Sequence, residues 1–283
     1  MSSPIDSIID PADPRIASYR EARDGRVRRA GLFLAEGRLV VRRLLESRFT
    51  VRSVLATRGV LDDLGDAIGK RPSVQRYEAS AETIRAVVGF TFHRGCLALG
   101  EEGPPISAPA VVEPAGSRLV LGLEDVTDPD NVGAVFRNAA AFGAAGLVLS
   151  PRCADPLYRK AIRVSMGATL AIAFATTDWR DGLRALRAAG YTLMALTPHV
   201  GAQSLDAVVA DGPAPCRLAV LLGAEGAGLS EATHRAADLR VRIAMAPGVD
   251  SLNVATACAI ALHRLTDLAR PADAGSMMDD DPS

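Results

Sequence analysis

The sequence is poor in aromatic residues: Phe, Tyr and Trp make up 4% of its 283 residues, with a single Trp. That excludes the wide stacking platforms on which single-stranded nucleic acids are often held, and it leaves the core to Ala, Val and Leu. Lysine is almost absent as well. Lys70 and Lys160 are the only two, and arginine supplies the rest of the 32 basic residues. The four cysteines, Cys96, Cys153, Cys216 and Cys258, show no C-x-x-C spacing. This argues against a disulfide framework or a structural zinc site and for reduced thiols in a cytoplasm. No apolar run reaches membrane-spanning length, and the opening MSSPIDSIIDPADP has neither the basic nor the apolar segment of a signal peptide. The dinucleotide fingerprint G-x-G-x-x-G and the P-loop lysine are both missing. The expectation is a cytoplasmic protein without metal or membrane partner.

What is present suits a globular protein with a real core: 48% hydrophobic and 23% charged residues. The net charge of -1 conceals an asymmetry, since residues 1–100 hold 17 Lys+Arg against 12 Asp+Glu. The basic residues concentrate between Arg15 and Arg58. Such a segment is either a phosphate-facing surface or a solvated helix face.

The chain divides into two α/β series. Residues 1–12 lack periodicity and read as a flexible lead-in. Alternating helices and strands then run to about residue 99, giving an N-terminal α/β sandwich over 1–100. Residues 101–117, rich in Pro, Gly, Ala and Glu, read as a linker. From 118 to 270, strands near 119–123, 146–149, 172–174, 191–196, 218–222 and 241–243 alternate with helices at 132–142, 158–166, 179–189, 230–236 and 252–268. Strands with helical crossovers predict a mostly parallel sheet covered on both faces. Residues 271–283, rich in Asp, Ser and Met, read as a disordered tail.

Three stretches of the second series carry candidate chemistry. In the first, Asp128-Pro129-Asp130-Asn131-Val132-Gly133 follows a strand and opens a helix, with Asn131 placed as an N-cap and Arg137 about two turns in. The second, Gly223-Ala224-Glu225-Gly226-Ala227-Gly228-Leu229-Ser230, is a Gly-rich loop that bares backbone N–H groups. Glu225 would repel a pyrophosphate, so a ligand with sugar hydroxyls or positive charge suits it better. The third runs from Val241 to Leu265. A strand end with Ile243 and Met245 leads through Pro247-Gly248 into an apolar helix, capped by Asp250 or Ser251, with Ser251 and Asn253 at its mouth. A helix apolar around its circumference is buried or shared between two surfaces. Taken singly, these stretches also read as a cap, a turn and a core helix. Together they fall at the carboxyl ends of strands, where α/β sheets bind ligands.

In order and spacing the three stretches resemble the motifs of the SpoU/TrmH branch of the SPOUT RNA methyltransferases. Asn131-x-Gly133 through Arg137 is similar to the first motif. Gly223-x-Glu225-x-x-Gly228-Leu229 is similar to the second, and Ile243-x-Met245 with Ser251-Leu252-Asn253-Val254 to the third. The resemblance covers about 119–265. The N-terminal Phe33-Leu-Ala-Glu-Gly-Arg38 is similar to a phrase in the small RNA-binding substrate domain often attached to this branch. Two positions depart from the family's habit: Ala244 stands where proline is common, and Ala255 where a polar residue often follows.

The resemblance implies an α/β SPOUT domain with a deep trefoil knot, which topology rules alone would never suggest, and a homodimer. It implies a 2′-O-ribose methyltransferase using S-adenosyl-L-methionine, on ribosomal RNA in preference to transfer RNA. The alternatives are a tRNA ribose methyltransferase and a non-catalytic RNA-binding or ribosome assembly factor. The implied catalytic residues are Arg137, Asn131, Glu225, Ser251 and Asn253. The implied cofactor-binding residues are Thr197, Leu222, Gly223, Gly228, Ile243, Met245 and Leu252. His93, His199, His234 and His263 match no family role.

Overall fold

A computed structural model describes residues 4–21, 26–88, 95–113, 118–210 and 216–269. The expected tail, 271–283, lies outside them. The chain forms two compact units. One takes the described residues up to 105 together with 127–137 and 154–173; the other takes 106–126, 138–153 and the described residues from 174 onward.

The first unit is built on a five-stranded sheet of β1 (Ile5–Ile8), β2 (Leu32–Glu36), β3 (Thr50–Ala56), β4 (Gln75–Ala79) and β5 (Cys96–Glu101), in the order β1-β4-β3-β5-β2. β1 and β3 flank β4 in parallel, and β5 runs antiparallel to β3 and β2. β1 corrects the flexible lead-in expected over 1–12. Four residues carry too little pattern to announce a strand; its partner, Arg76 to Ala79, lies far along the chain. Helix Arg38–Glu46 turns Val40, Val41, Leu44 and Leu45 inward. Tyr19, Leu34, Leu55, Ile84 and Leu97 are among the core residues, and the buried Tyr19 hydroxyl is paired with Ser53 Oγ at 2.8 Å. Helices Arg159–Val164 and Ala168–Ala171 belong to this unit too.

The second unit contains a seven-stranded sheet of β6 (Leu119–Glu124), β7 (Gly146–Leu149), β8 (Ala173–Thr176), β9 (Thr192–Leu196), β10 (Gln203–Ser204), β11 (Leu218–Gly223) and β12 (Leu239–Arg242). The order is β10-β12-β9-β11-β6-β7-β8, and the pairings from β10 through to β7 are parallel. β6 is buried along its whole length and β11 along all but its last residue. This is why both read as unbroken apolar runs rather than alternating ones. Six of the strands overlap the segments where the sequence placed them, with β8 and β12 displaced by one or two residues; β10, two residues long, was not foreseen. Residues 101–117 also hold a helix, Ala108–Val112, capped by the Ser107 hydroxyl. Its Val111 and Val112 are buried, and Arg217 Nη2 donates to the Val112 carbonyl at 2.8 Å. A Pro- and Ala-rich composition hid it.

Candidate functional site

β12, β9 and β11 are neighbours, and the chain leaves their carboxyl ends side by side. Leu196 ends β9, and Thr197 and Pro198 follow it; Leu222 and Gly223 end β11, and Ala224 to Gly226 and Gly228 follow it; Ile243 and Met245 follow β12. With Ser251 to Val254 and Ala257 they enclose a cleft of about 350 Å³, a normal size for a small-molecule site. Every residue predicted to bind a cofactor lines it: Thr197, Leu222, Gly223, Gly228, Ile243, Met245 and Leu252. So do Glu225, Ser251 and Asn253. The lining also includes Leu196, Pro198, Ala224, Gly226, Val254 and Ala257, small or apolar residues with no chemical signature to find them by.

The Gly-rich loop folds back on its own strand. Ala224 and Gly228 form an isolated antiparallel bridge, with Gly228 N–H donating to the Ala224 carbonyl at 2.9 Å. A side chain at Gly223 would overlap the backbone of Gly228 and Leu229, so the turn admits glycine alone there. The loop's exit is pinned by Glu124, a buried carboxylate at the end of β6 that the sequence analysis missed. Its Oε2 accepts from Ser230 N–H at 3.0 Å and from Thr233 Oγ1 at 2.8 Å. The Ser230 hydroxyl in turn caps helix Glu231–Ala236 through Thr233 N–H.

The last helix corrects an expectation. It runs over Val254–Ala269, and its cap is Asn253, not Asp250 or Ser251. Asn253 Oδ1 accepts from the N–H groups of Ala255 at 2.9 Å and Thr256 at 3.3 Å. Those two donors fix the amide's orientation, so Nδ2 points the other way and donates to Glu225 Oε1 at 3.0 Å. Ser251 and Leu252, released from the helix, are free to line the cleft. One side chain thus starts the helix and ties it to the Gly-rich loop.

Asn131 and Arg137 belong to the first unit, on helix Pro129–Ala141. Asn131 is buried in the first turn and is not the cap; Asp128 Oδ1 takes the Asp130 N–H at 2.9 Å. Arg137 is exposed and makes no hydrogen bond or ion pair with the described residues. One residue on, Asn138 Nδ2 donates to the Ala255 carbonyl at 2.8 Å. Burial pushes the Cys258 thiol up to about 12, with a smaller opposing effect from Asn138, so it is a core residue and not a nucleophile. His199 Nδ1 accepts from Gly201 N–H at 3.1 Å within its own loop.

The cleft's chemistry is one-sided. Its walls are mostly apolar; its polar groups are strand-end backbone, the Thr197 and Ser251 hydroxyls, the Asn253 amide and the Glu225 carboxylate. Among the described residues no Lys or Arg lines it. That set suits a flat ring, sugar hydroxyls and a positive charge, and disfavours a phosphate.

Comparison with known proteins gives a consistent answer. Residues 118–263 match the SpoU rRNA Methylase family. An uncharacterized tRNA/rRNA methyltransferase of Mycobacterium bovis is 42% identical over 268 residues, covering 93% of this chain and 92% of its own. A 23S rRNA (guanosine-2′-O-)-methyltransferase of Burkholderia is 35% identical over 187 residues, 65% of this chain and 74% of its own. The AdoMet-bound crystal structure of an rRNA methyltransferase from Sinorhizobium meliloti superposes with a TM-score of 0.78 at 25% identity, covering 92% of this chain and 97% of that one.

Proposed function

Because the chain belongs to the SpoU rRNA methylase family, we propose that it methylates a ribose 2′-hydroxyl of RNA, ribosomal RNA before transfer RNA, with S-adenosylmethionine as donor. The observation that carries this reading is the cleft. Ten of the residues that the family resemblance implied for the site line one cavity of about 350 Å³. Their character fits the cofactor. Leu222, Ile243 and Leu252 would cover an adenine; Thr197 and the strand-end backbone would meet ribose hydroxyls; the carboxylate of Glu225 would favour a sulfonium. When bound, the cofactor supplies an activated methyl group.

The chain's own residues do the rest. A 2′-hydroxyl must lose its proton while its oxygen is held in line with the methyl group, and positioning alone can remove several kcal/mol of barrier. Arg137 is a poor base, because a guanidinium stays charged. Its role in this reading is to clamp an RNA phosphate and stabilise the developing alkoxide, with the proton passing to that phosphate or to water. Asn131, Glu225, Ser251 and Asn253 complete the catalytic set of this reading. The trefoil knot and a homodimer belong to the same reading. Ile260, an exposed apolar residue on the last helix, supports a shared surface there.

The test is methyl transfer from labelled S-adenosylmethionine to ribosomal and transfer RNA, followed by digestion to nucleosides. The expected product is a 2′-O-methylnucleoside from ribosomal RNA. Label on a base, or none in any RNA despite calorimetric cofactor binding, would overturn the assignment.

A further inference from the structure

We propose that Glu36 and Arg159 act as a positioning pair for Arg137, an inference that rests on the methyl-transfer reading above. Glu36 ends β2, inside the Phe33-Leu-Ala-Glu-Gly-Arg38 phrase, and is buried at 6% exposure. Buried carboxylates need partners. This one takes two hydrogen bonds from the Arg159 guanidinium, Nε at 3.2 Å and Nη2 at 3.0 Å, both on Oε2. Arg159 opens helix Arg159–Val164.

That helix is fastened to its surroundings at both ends. Ahead of it, Arg28 reaches Asp155 Oδ2, with Nε at 2.7 Å and Nη2 at 2.6 Å. Beyond it, Arg43 Nη1 donates to the Met166 carbonyl at 2.7 Å, where the backbone takes a left-handed φ of 54°. Its other flank carries the arginine-bearing helix. A Cβ at Gly133 would sit 2.6 Å from the Ala161 carbonyl oxygen and 3.1 Å from Val164 Cβ, so the two backbones touch at that residue. Lys160 Nζ adds an ion pair to Asp130 at 2.9 Å. Gly133 and Arg137 are four apart, hence on one face of helix Pro129–Ala141. Wherever helix Arg159–Val164 is set, Gly133 follows, and Arg137 one turn beyond it. The buried pair sets it. Arg137 has no hydrogen bond of its own among the described residues, so its place is inherited from its helix.

The test uses the full chain with Glu36→Gln, Arg159→Met and the double variant. We expect kcat for RNA methylation to fall about 100-fold in each, as misplacement by about 1 Å allows. The calorimetric Kd for S-adenosylmethionine should stay within twofold, with a cooperative thermal transition retained. Because the two residues act as one unit, the double variant should lose no more than the worse single one. Near wild-type kcat in either single variant would overturn the proposal. So would parallel loss of kcat and cofactor binding, the mark of general destabilisation, or additive losses in the double variant. Should Glu36→Gln fail to give a cooperative transition, Glu36→Asp takes its place and must show the same kcat loss with cofactor Kd unmoved. If the wild-type protein transfers no methyl group to RNA, it is the underlying reading that fails.

Discussion

Asn253→Asp separates the two tasks of one side chain. Aspartate caps a helix as well as asparagine does, so the bonds to Ala255 and Thr256 N–H survive. The bond to Glu225 does not. Where Nδ2 donated across 3.0 Å, a carboxylate oxygen now faces Glu225 Oε1. Two unit charges about 3 Å apart repel by about 1.4 kcal/mol in bulk water and by about 5.5 kcal/mol at an effective dielectric of about 20. Both side chains are exposed, so the lower end governs and the variant should lose about 1–2 kcal/mol at pH 7.5. The pH dependence gives the sign. Repulsion raises the new carboxyl's folded-state pKa above its unfolded value, so its share of stability is present below the unfolded pKa and lost as the pH rises through the folded one. Urea unfolding should therefore find the variant close to wild type near pH 4 and weaker at 7.5. Asn253→Ala should instead lose about 1 kcal/mol for the cap at both pH values. An Asp variant equally destabilised at both, or at neither, would refute the bridge.

Further outcomes follow from the site and the core. Gly223→Ala should cost about 1–3 kcal/mol, as overpacking does, and weaken calorimetric binding of S-adenosylmethionine, because the new methyl group overlaps the Gly228–Leu229 backbone; an unchanged melting temperature and Kd would show that the loop yields freely. Arg137→Ala should reduce methyl transfer by about 100- to 1,000-fold with cofactor binding intact, and turnover near wild type would remove it from the mechanism. A thiol reagent at pH 8 should modify the exposed Cys216 first. Cys96 and Cys258, whose thiols burial pushes up to about 12, should react only on unfolding; labelling of either in the native protein, read by mass spectrometry, would contradict their burial.

Much of the parallel sheet was legible because its central strands are apolar on both faces, a pattern needing no partner to be seen. The cleft was legible for a different reason: the Gly-rich loop after β11 and the polar Ser251 and Asn253 at the mouth of an apolar helix stood out locally, and the family resemblance supplied the remaining residues. What escaped depended on partners remote in sequence. β1 is a strand only because β4 lies beside it. Glu124 looked like one more acidic residue until Ser230 and Thr233 were seen to converge on it. The helix start was misplaced by two residues because Ser251, Asp250 and Asn253 are all good caps, and local sequence cannot say which of them a distant Glu225 will hold.

The chain passes between its two compact units five times, at residues 105/106, 126/127, 137/138, 153/154 and 173/174. No single cut separates them. A fragment ending at residue 105 would lack helix Arg159–Val164, whose Arg159 neutralises the buried Glu36, and would be expected to precipitate or bind chaperones. The complementary fragment would carry 127–137 and 154–173 as orphaned segments. Gene-level exchange of an N-terminal module between relatives would therefore have to carry matching residues at Gly133, Asp155, Arg159 and Met166, deep in what looks in sequence like the other half.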